Sequence, residues 1–374
     1  MTATVGINLL WLVPGEVGGS EESTVASLLA LHALAPPDLR FRVFASAAFA
    51  AAHPEVARAF PTDRWPHSGR SRAGRVLGES TWLARRTADL DLVHHAGGTV
   101  PSVRRAPCVL TVHDLQPLER SATHGSFKRA YLRATIPRSV RAARVVVTPS
   151  EFVRRSVIAG LGVDPARVVS VPHGVDLPVA ITERAELEAR YRIDGPVVLY
   201  PAITYPHKNH LTLVDAFAEV VAQHPDALLM LPGGKGSLED EVLARIQVHR
   251  LTDRVRRLGR IPAADVAGLY SLAAVVAVPS LYEGFGLPAL EAMVHGVALV
   301  AASSTALPEV AGEAGELVDP LDASAWAAAL SALLADPDRR ARMGEAGRVR
   351  SHHYRSEANA ECLANVYRQA LRRA

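Results

Sequence analysis

Short apolar, β-branched runs alternate with longer amphipathic stretches along this chain. The runs lie at 5–12, 41–45, 92–94, 108–112, 145–148 and 168–171, then at 197–200, 227–231, 255–258, 274–278 and 298–301. Few polar residues interrupt them, as expected for strands buried on both faces of a sheet. Between them, 20–35, 151–161, 210–224, 238–250, 263–272 and 288–295 carry helical patterns. This β-α-β rhythm predicts an α/β fold of parallel sheets covered by helices. It falters at 176–188, where Pro178 and a cluster of charges follow Gly174, and that stretch reads as a linker. The expected organisation is a domain at 1–176, a second at 190–355, and a helix at 356–374 returning to the first. Residues 61–78, polar apart from Trp65 and a few others, read as a long mobile loop.

The chain's 374 residues fit two domains, and 49% hydrophobic with 21% charged residues suits full-sized cores. A net charge of +3 is too weak to argue for nucleic acid. Two cysteines, Cys108 and Cys362, build neither a disulfide framework nor a metal site, which points to a reducing, cytoplasmic setting. The apolar start of the chain lacks a basic leader and reads as a first strand. No run approaches the ~18 apolar residues of a membrane span. Membrane contact would have to be peripheral, at the inner face. The candidate is the basic, amphipathic segment 127–144, with Lys128, Arg129, Arg133, Arg138, Arg141 and Arg144.

Polar residues cluster just after the apolar runs: His113 and Asp114, Ser150, His173 and Gly174, then Gly233 and Gly234, then Glu283 to Gly286. Open parallel sheets bind ligands at the carboxyl ends of their strands, so two such crests would face one another across a cleft. The strongest signal is Ser280-Leu-Tyr-Glu-Gly-Phe-Gly-Leu-Pro-Ala-Leu-Glu291. Gly284 and Gly286 allow close backbone approach, and Pro288 opens a helix that places Glu291 in its first turn. The N–H groups around Gly284, Phe285, Gly286 and Leu287 favour a diphosphate, and Glu283 and Glu291 suit sugar or ribose hydroxyls.

With this motif the chain resembles glycosyltransferase family 4, the retaining group with the GT-B fold, whose signature is E-x7-E. Thr111-Val-His-Asp114, Val171-Pro-His-Gly-Val-Asp176 and His207-Lys-Asn209 agree with it in order. The resemblance implies two Rossmann-like domains and a nucleotide diphosphate sugar donor. It also implies transfer to a hydroxyl acceptor without metal or other cofactor. It places the Gly18-Gly19 loop near the donor phosphates and His113 beside the transferred sugar, and makes Lys208 the cation for the leaving diphosphate. Many relatives carry an arginine six residues before this lysine or directly before it; here those positions hold Ala202 and His207. The segments lean toward GDP-mannose or a UDP-sugar, with a glycan, lipid-linked or small-molecule acceptor. Cell-surface glycan or secondary-metabolite glycosylation would be the setting. The rivals are a non-catalytic nucleotide-sugar-binding protein and a nucleotide-sugar epimerase of the same architecture. Asp89-Leu-Asp91 reads as the approach to a strand, and Lys235 as a turn residue. His94 and His95 would need a third ligand to hold zinc.

Overall fold

The computed structural model describes residues 2–16, 19–116, 126–178 and 180–373. The chain divides into two compact units, Met1–Gly174 with Tyr354–Ala374, and Val175–His353. Gly18 lies outside the described residues, as do the side chains of Phe127, Lys128 and Arg129.

Among the described residues the first unit holds β1 (Ala3–Asn8), β2 (Leu39–Ser46), β3 (Thr62–Trp65), β4 (Leu92–His95), β5 (Cys108–Thr111), β6 (Val145–Thr148) and β7 (Val168–Ser170). They pair in parallel in the order β3-β2-β1-β4-β5-β6-β7. The chain winds outward from β1 to β3, then returns to place β4 on the other side of β1. The first apolar run, expected over 5–12, stops being a strand at Asn8. There the Asn8 side chain accepts the Leu10 N–H at 3.1 Å and Leu12 N–H turns back to the Leu9 carbonyl, so Leu9, Leu10 and Leu12 stay buried in a turn.

The second unit holds β8 (Val197–Leu199), β9 (Leu228–Pro232), β10 (Val255–Gly259), β11 (Val275–Val278), β12 (Ala298–Ala302) and β13 (Glu316–Val318). Their order is β10-β9-β8-β11-β12-β13, again all parallel. The reversal falls between β8 and β11, where Val275 pairs with Val198 and Val276 with Leu199. Such a reversal splays the loops on either side of it and leaves a crevice at the strand ends.

The sequence pattern missed two strands. The stretch 61–78 holds β3 and a helix, Arg72–Gly78, in place of the expected loop. Only Trp65 of β3 and Val318 of β13 are buried. Both strands lie at sheet edges, so neither carries a continuous apolar run. Trp65 packs against Gly78, where a Cβ would stand 2.6 Å from the indole Cζ2.

The stretch 176–188 is built into the second unit more firmly than a linker would be. Its latter part enters helix Arg184–Tyr191, with Leu187 buried, and the Thr182 hydroxyl and the Arg190 guanidinium both reach the buried Asp265 carboxylate at 2.6 and 2.5 Å. The C-terminal tail splits between the units. Helix Pro337–Ser351 belongs to the second, where Gly344 lies against the Gly296 carbonyl. Helix Ser356–Arg372 belongs to the first and buries Ala360, Leu363, Ala364 and Tyr367 in one core with Val5, Leu92, Val109 and Val145. Arg368 closes its outer side on Asp38 at 2.7 Å.

Helix Ser126–Ala142 carries the basic segment. Two of its cations work inside the unit: Arg138 bonds the Val100 carbonyl and Arg144, just beyond the helix, bonds the Ala370 carbonyl. Among the described residues no helix is long and apolar enough to cross a membrane.

Candidate active site

Lys208 and Glu283, 75 residues apart in sequence, meet at the reversal between β8 and β11. Lys208 closes a short turn after β8, and Glu283 lies in the loop after β11. The Lys208 ammonium donates to Glu283 Oε1 at 2.6 Å, with side-chain exposures of 19% and 11%. Four further bonds fix the backbone of the lysine and its two neighbours. The Tyr200 hydroxyl donates to the Lys208 carbonyl at 2.9 Å, the Leu281 N–H donates to the His207 carbonyl at 2.7 Å, and Asn209 donates to the Pro279 and Pro320 carbonyls. Asn209 takes a left-handed φ of 58°, which an asparagine tolerates better than most residues.

Glu283 is held as tightly. The Ser280 hydroxyl donates to its Oε1 at 2.7 Å, and its own N–H donates to Thr305 Oγ1 at 3.0 Å. Burial alone would push this carboxyl up, but the Lys208 ammonium and the Ser280 hydroxyl outweigh it and hold it below the ordinary glutamate value. Glu283 is therefore an anion at neutral pH. Burial raises the Tyr200 phenol well above its usual range, so Tyr200 stays a donor. Sequence reasoning missed Tyr200, Ser280, Thr305 and Tyr270. Tyr200 and Ser280 lie within or beside segments it singled out, whereas Thr305 and Tyr270 carry no local mark.

Beyond Glu283 the chain passes through Gly286, with φ 106°, into helix Leu287–His295. A Cβ at Gly286 would stand 2.6 Å from Leu307 Cδ2, so glycine is required on both counts. Gly286 is the N-cap and supplies no side-chain hydrogen bond to the first turn, whose N–H groups favour an anion. Glu291 is not in that first turn, as the sequence had suggested, but one turn further along. Its Oε2 accepts the Tyr270 hydroxyl at 2.6 Å, and the Tyr270 ring stacks on His295 at 5.3 Å. Replacing Glu291 by glutamine should raise the donor KM about 10- to 100-fold with little change in the melting curve. A charged hydrogen bond is worth about 1.5–3 kcal/mol, and the helix loses no buried apolar group. Steady-state kinetics across a donor series checks this; an unchanged KM would remove Glu291 from the site.

Gly19 and His113 belong to the first unit. Gly19 is the first residue of helix Gly19–Leu34. The His113 Nε2 donates to the Ala96 carbonyl at 2.7 Å, and its ring lies 5.6 Å from Trp11 and stacks on His173 at 6.1 Å. Burial lowers its pKa, so the ring is neutral at pH 7 and its Nδ1 is a bare acceptor. Lys235 pairs with Asp240 at 3.0 Å on the surface, and Asp91 accepts the Thr4 N–H at 2.8 Å. His94 spends its two ring nitrogens on Tyr367 and Thr111.

Two doubly wound units, one with a lysine–glutamate pair beside a glycine-opened helix, define the GT-B fold class. Known structures agree. An Anabaena protein, HepE, solved with UDP and glucose, superposes with a TM-score of 0.76 over 98% of this chain and 99% of its own, at 19% identity. The family model for glycosyl transferases group 1 matches residues 183–350, and that for glycosyltransferase family 4 matches 17–178. A D-inositol 3-phosphate glycosyltransferase of Kineococcus radiotolerans is 35% identical over 62% of this chain and 58% of its own length. The O-antigen chain mannosyltransferase B of Escherichia coli is 31% identical over 66% of both chains. The match thus spans less than two thirds of either relative. The chain belongs to the family 4, group 1 glycosyltransferases.

Proposed function

We propose that the chain is a retaining, metal-independent glycosyltransferase that moves a hexose, mannose or a related sugar, from a nucleoside diphosphate to a hydroxyl acceptor. The observation that carries this is the Lys208–Glu283 pair at the β8/β11 reversal, beside the start of helix Leu287–His295. An ammonium has three N–H donors, and Glu283 occupies one. The others suit a departing diphosphate, together with the first N–H groups of the helix. Glu283, a fixed anion, accepts hydroxyls of the donor sugar, and Glu291 those of the ribose. In the step itself the bond from the anomeric carbon to the phosphate oxygen breaks, and its electron pair stays with the phosphate. The acceptor oxygen bonds that carbon from the same face, and its proton goes to the departing phosphate. The work of this chain's residues is positioning and charge stabilisation. The relatives' mannosyl and inositol 3-phosphate names support a hexosyl donor and a hydroxyl acceptor as classes.

The test is turnover of GDP-mannose, UDP-glucose and related donors in excess EDTA, following both hydrolysis and transfer. Full turnover in EDTA is the expected result. Loss of turnover restored by Mg²⁺ or Mn²⁺ would refute the metal-independent reading. Tight nucleotide binding with neither hydrolysis nor transfer would make the protein a binding module.

A further inference from the structure

Gly233 and Gly234 follow β9 at the carboxyl end of the second sheet, and the mechanism above gives them no work. Arg257, on the neighbouring edge strand β10, holds their backbone. Its Nη1 donates to the Leu231 and Gly233 carbonyls at 2.9 and 2.7 Å, and its Nη2 to the Gly234 carbonyl at 2.9 Å. Nε and Nη2 also donate to Glu239 Oε2, at 3.2 and 2.9 Å. A guanidinium has five N–H donors, so all of them are spent inside the protein and none remains for a ligand. The pair is nearly sealed from water, with side-chain exposures of 7% and 12%. Buried ion pairs contribute little net stability over apolar packing, whereas a forked donor fixes direction.

Glu239 carries that geometry to the loop after β8. The Thr204 hydroxyl, fully buried, donates to Glu239 Oε2 at 2.6 Å and accepts the Gly236 N–H at 2.8 Å. The Thr204 carbonyl accepts the Leu238 N–H at 2.9 Å, and the Thr204 N–H donates to the Gly234 carbonyl at 3.4 Å. A Cβ on Gly236 would stand 2.5 Å from the Thr204 carbonyl carbon, so the two loops lie backbone on backbone. The turn that carries Lys208 starts at the next residue, since the Lys208 N–H donates to the Tyr205 carbonyl at 2.9 Å. Arg257, Glu239 and Thr204 therefore form one hydrogen-bonded base for that turn. Its far end is tied to the loop after β11 by the Leu281 N–H and by Asn209.

We propose that Thr204, held by the Arg257–Glu239 pair, is a positioning residue for Lys208: it sets where the ammonium stands and touches no substrate itself. The effect on a departing diphosphate rests on the transferase reading; the placement of Lys208 does not. The experiment combines amide hydrogen exchange of the full chain with calorimetric binding of UDP and GDP. In wild type the Lys208 and Gly236 amides should exchange through one shared opening, with protection equal to within about threefold. Thr204→Val keeps the shape and removes the hydroxyl. It should lower protection of the Lys208 amide about tenfold or more and leave the amides of β12 at their wild-type rates. It should also weaken binding of the nucleoside diphosphate about tenfold, and Thr204→Ser, which retains the hydroxyl, should restore it. In a Lys208→Met background, adding Thr204→Val should weaken binding less than about twofold further, because the group through which it acts is gone. Three results overturn the proposal. The first is unchanged Lys208 protection in the valine variant. The second is losses that multiply in the double variant, as a general loosening would give. The third is separate opening of Lys208 and Gly236 in wild type, which needs no variant and decides the matter if the valine protein does not fold. A wild type that binds neither nucleotide and turns over no donor refutes the transferase reading, and the exchange rates still judge the placement.

Discussion

Glu283→Gln should cut turnover roughly 10- to 1,000-fold, the largest expected loss of activity from a single change in this chain. The lower bound is one charged hydrogen bond to a donor hydroxyl, worth about 1.5–3 kcal/mol. The upper bound adds the effect on Lys208. Glu283 Oε1 receives both the Lys208 ammonium and the Ser280 hydroxyl. A glutamine retains the shape but not the charge, so the ammonium loses the group that fixes its position. An ångström of misplacement at a leaving group is expensive in rate. The sequence by itself showed no partner for Glu283. The ion pair with Lys208 gives the substitution a stability cost as well. Breaking one side of a fully buried pair costs about 3–5 kcal/mol. Lys208 keeps 19% side-chain exposure and can rehydrate, so a loss of about 1–3 kcal/mol is expected. Single-turnover kinetics and thermal melts of the purified variant test both parts, and wild-type turnover would sink the assignment of the site.

Mild acid should unfold the first unit well before the second. His94, His95 and His173 lie buried in the first unit, each with its pKa lowered from 6.5 to about 3 by burial. In the second unit burial lowers His210 likewise, to about 3. The sign follows from proton counting. Below pH 6.5 the unfolded chain takes up a proton at each ring and the folded chain does not, so stability is full above about 6.5 and falls toward pH 3. Each ring contributes about 1.4 kcal/mol per pH unit in that window. Three rings then withdraw about 4 kcal/mol for each unit of acidification, against a domain stability of about 5–15 kcal/mol. Unfolding of the first unit is expected near pH 5, with the second unit following at lower pH. Trp11, Trp65 and Trp82 lie in the first unit and Trp326 in the second, so tryptophan fluorescence mainly reports the first. A fluorescence titration that stayed flat from pH 7 to 4 would contradict this account.

Much of this protein was legible in its sequence. The central strands showed as continuous apolar runs, because burial on both faces leaves no room for polar residues. The helix expected at 151–161 has local causes at both ends: Ser150 caps helix Glu151–Leu161 through the Val153 N–H, and Gly162 ends it at φ 62°. Gly284, Gly286 and Glu283 marked the candidate site because the constraint on each is local. What escaped was set by partners far along the chain. The edge strands β3 and β13 have one buried residue each, and only pairing makes them strands. The placement of 176–188 in the second unit depends on Asp265, more than 70 residues away. Tyr270 was silent until the fold brought it to Glu291, and the sequence marked Lys208 without showing that it pairs with Glu283. His94 meets Tyr367 across 273 residues. Periodicity, caps and glycine turns are short-range preferences, so sequence alone determined the two winding units and the position of the motif. Protonation states and ion pairs arise from burial and distance between remote residues, and only the tertiary structure decided them.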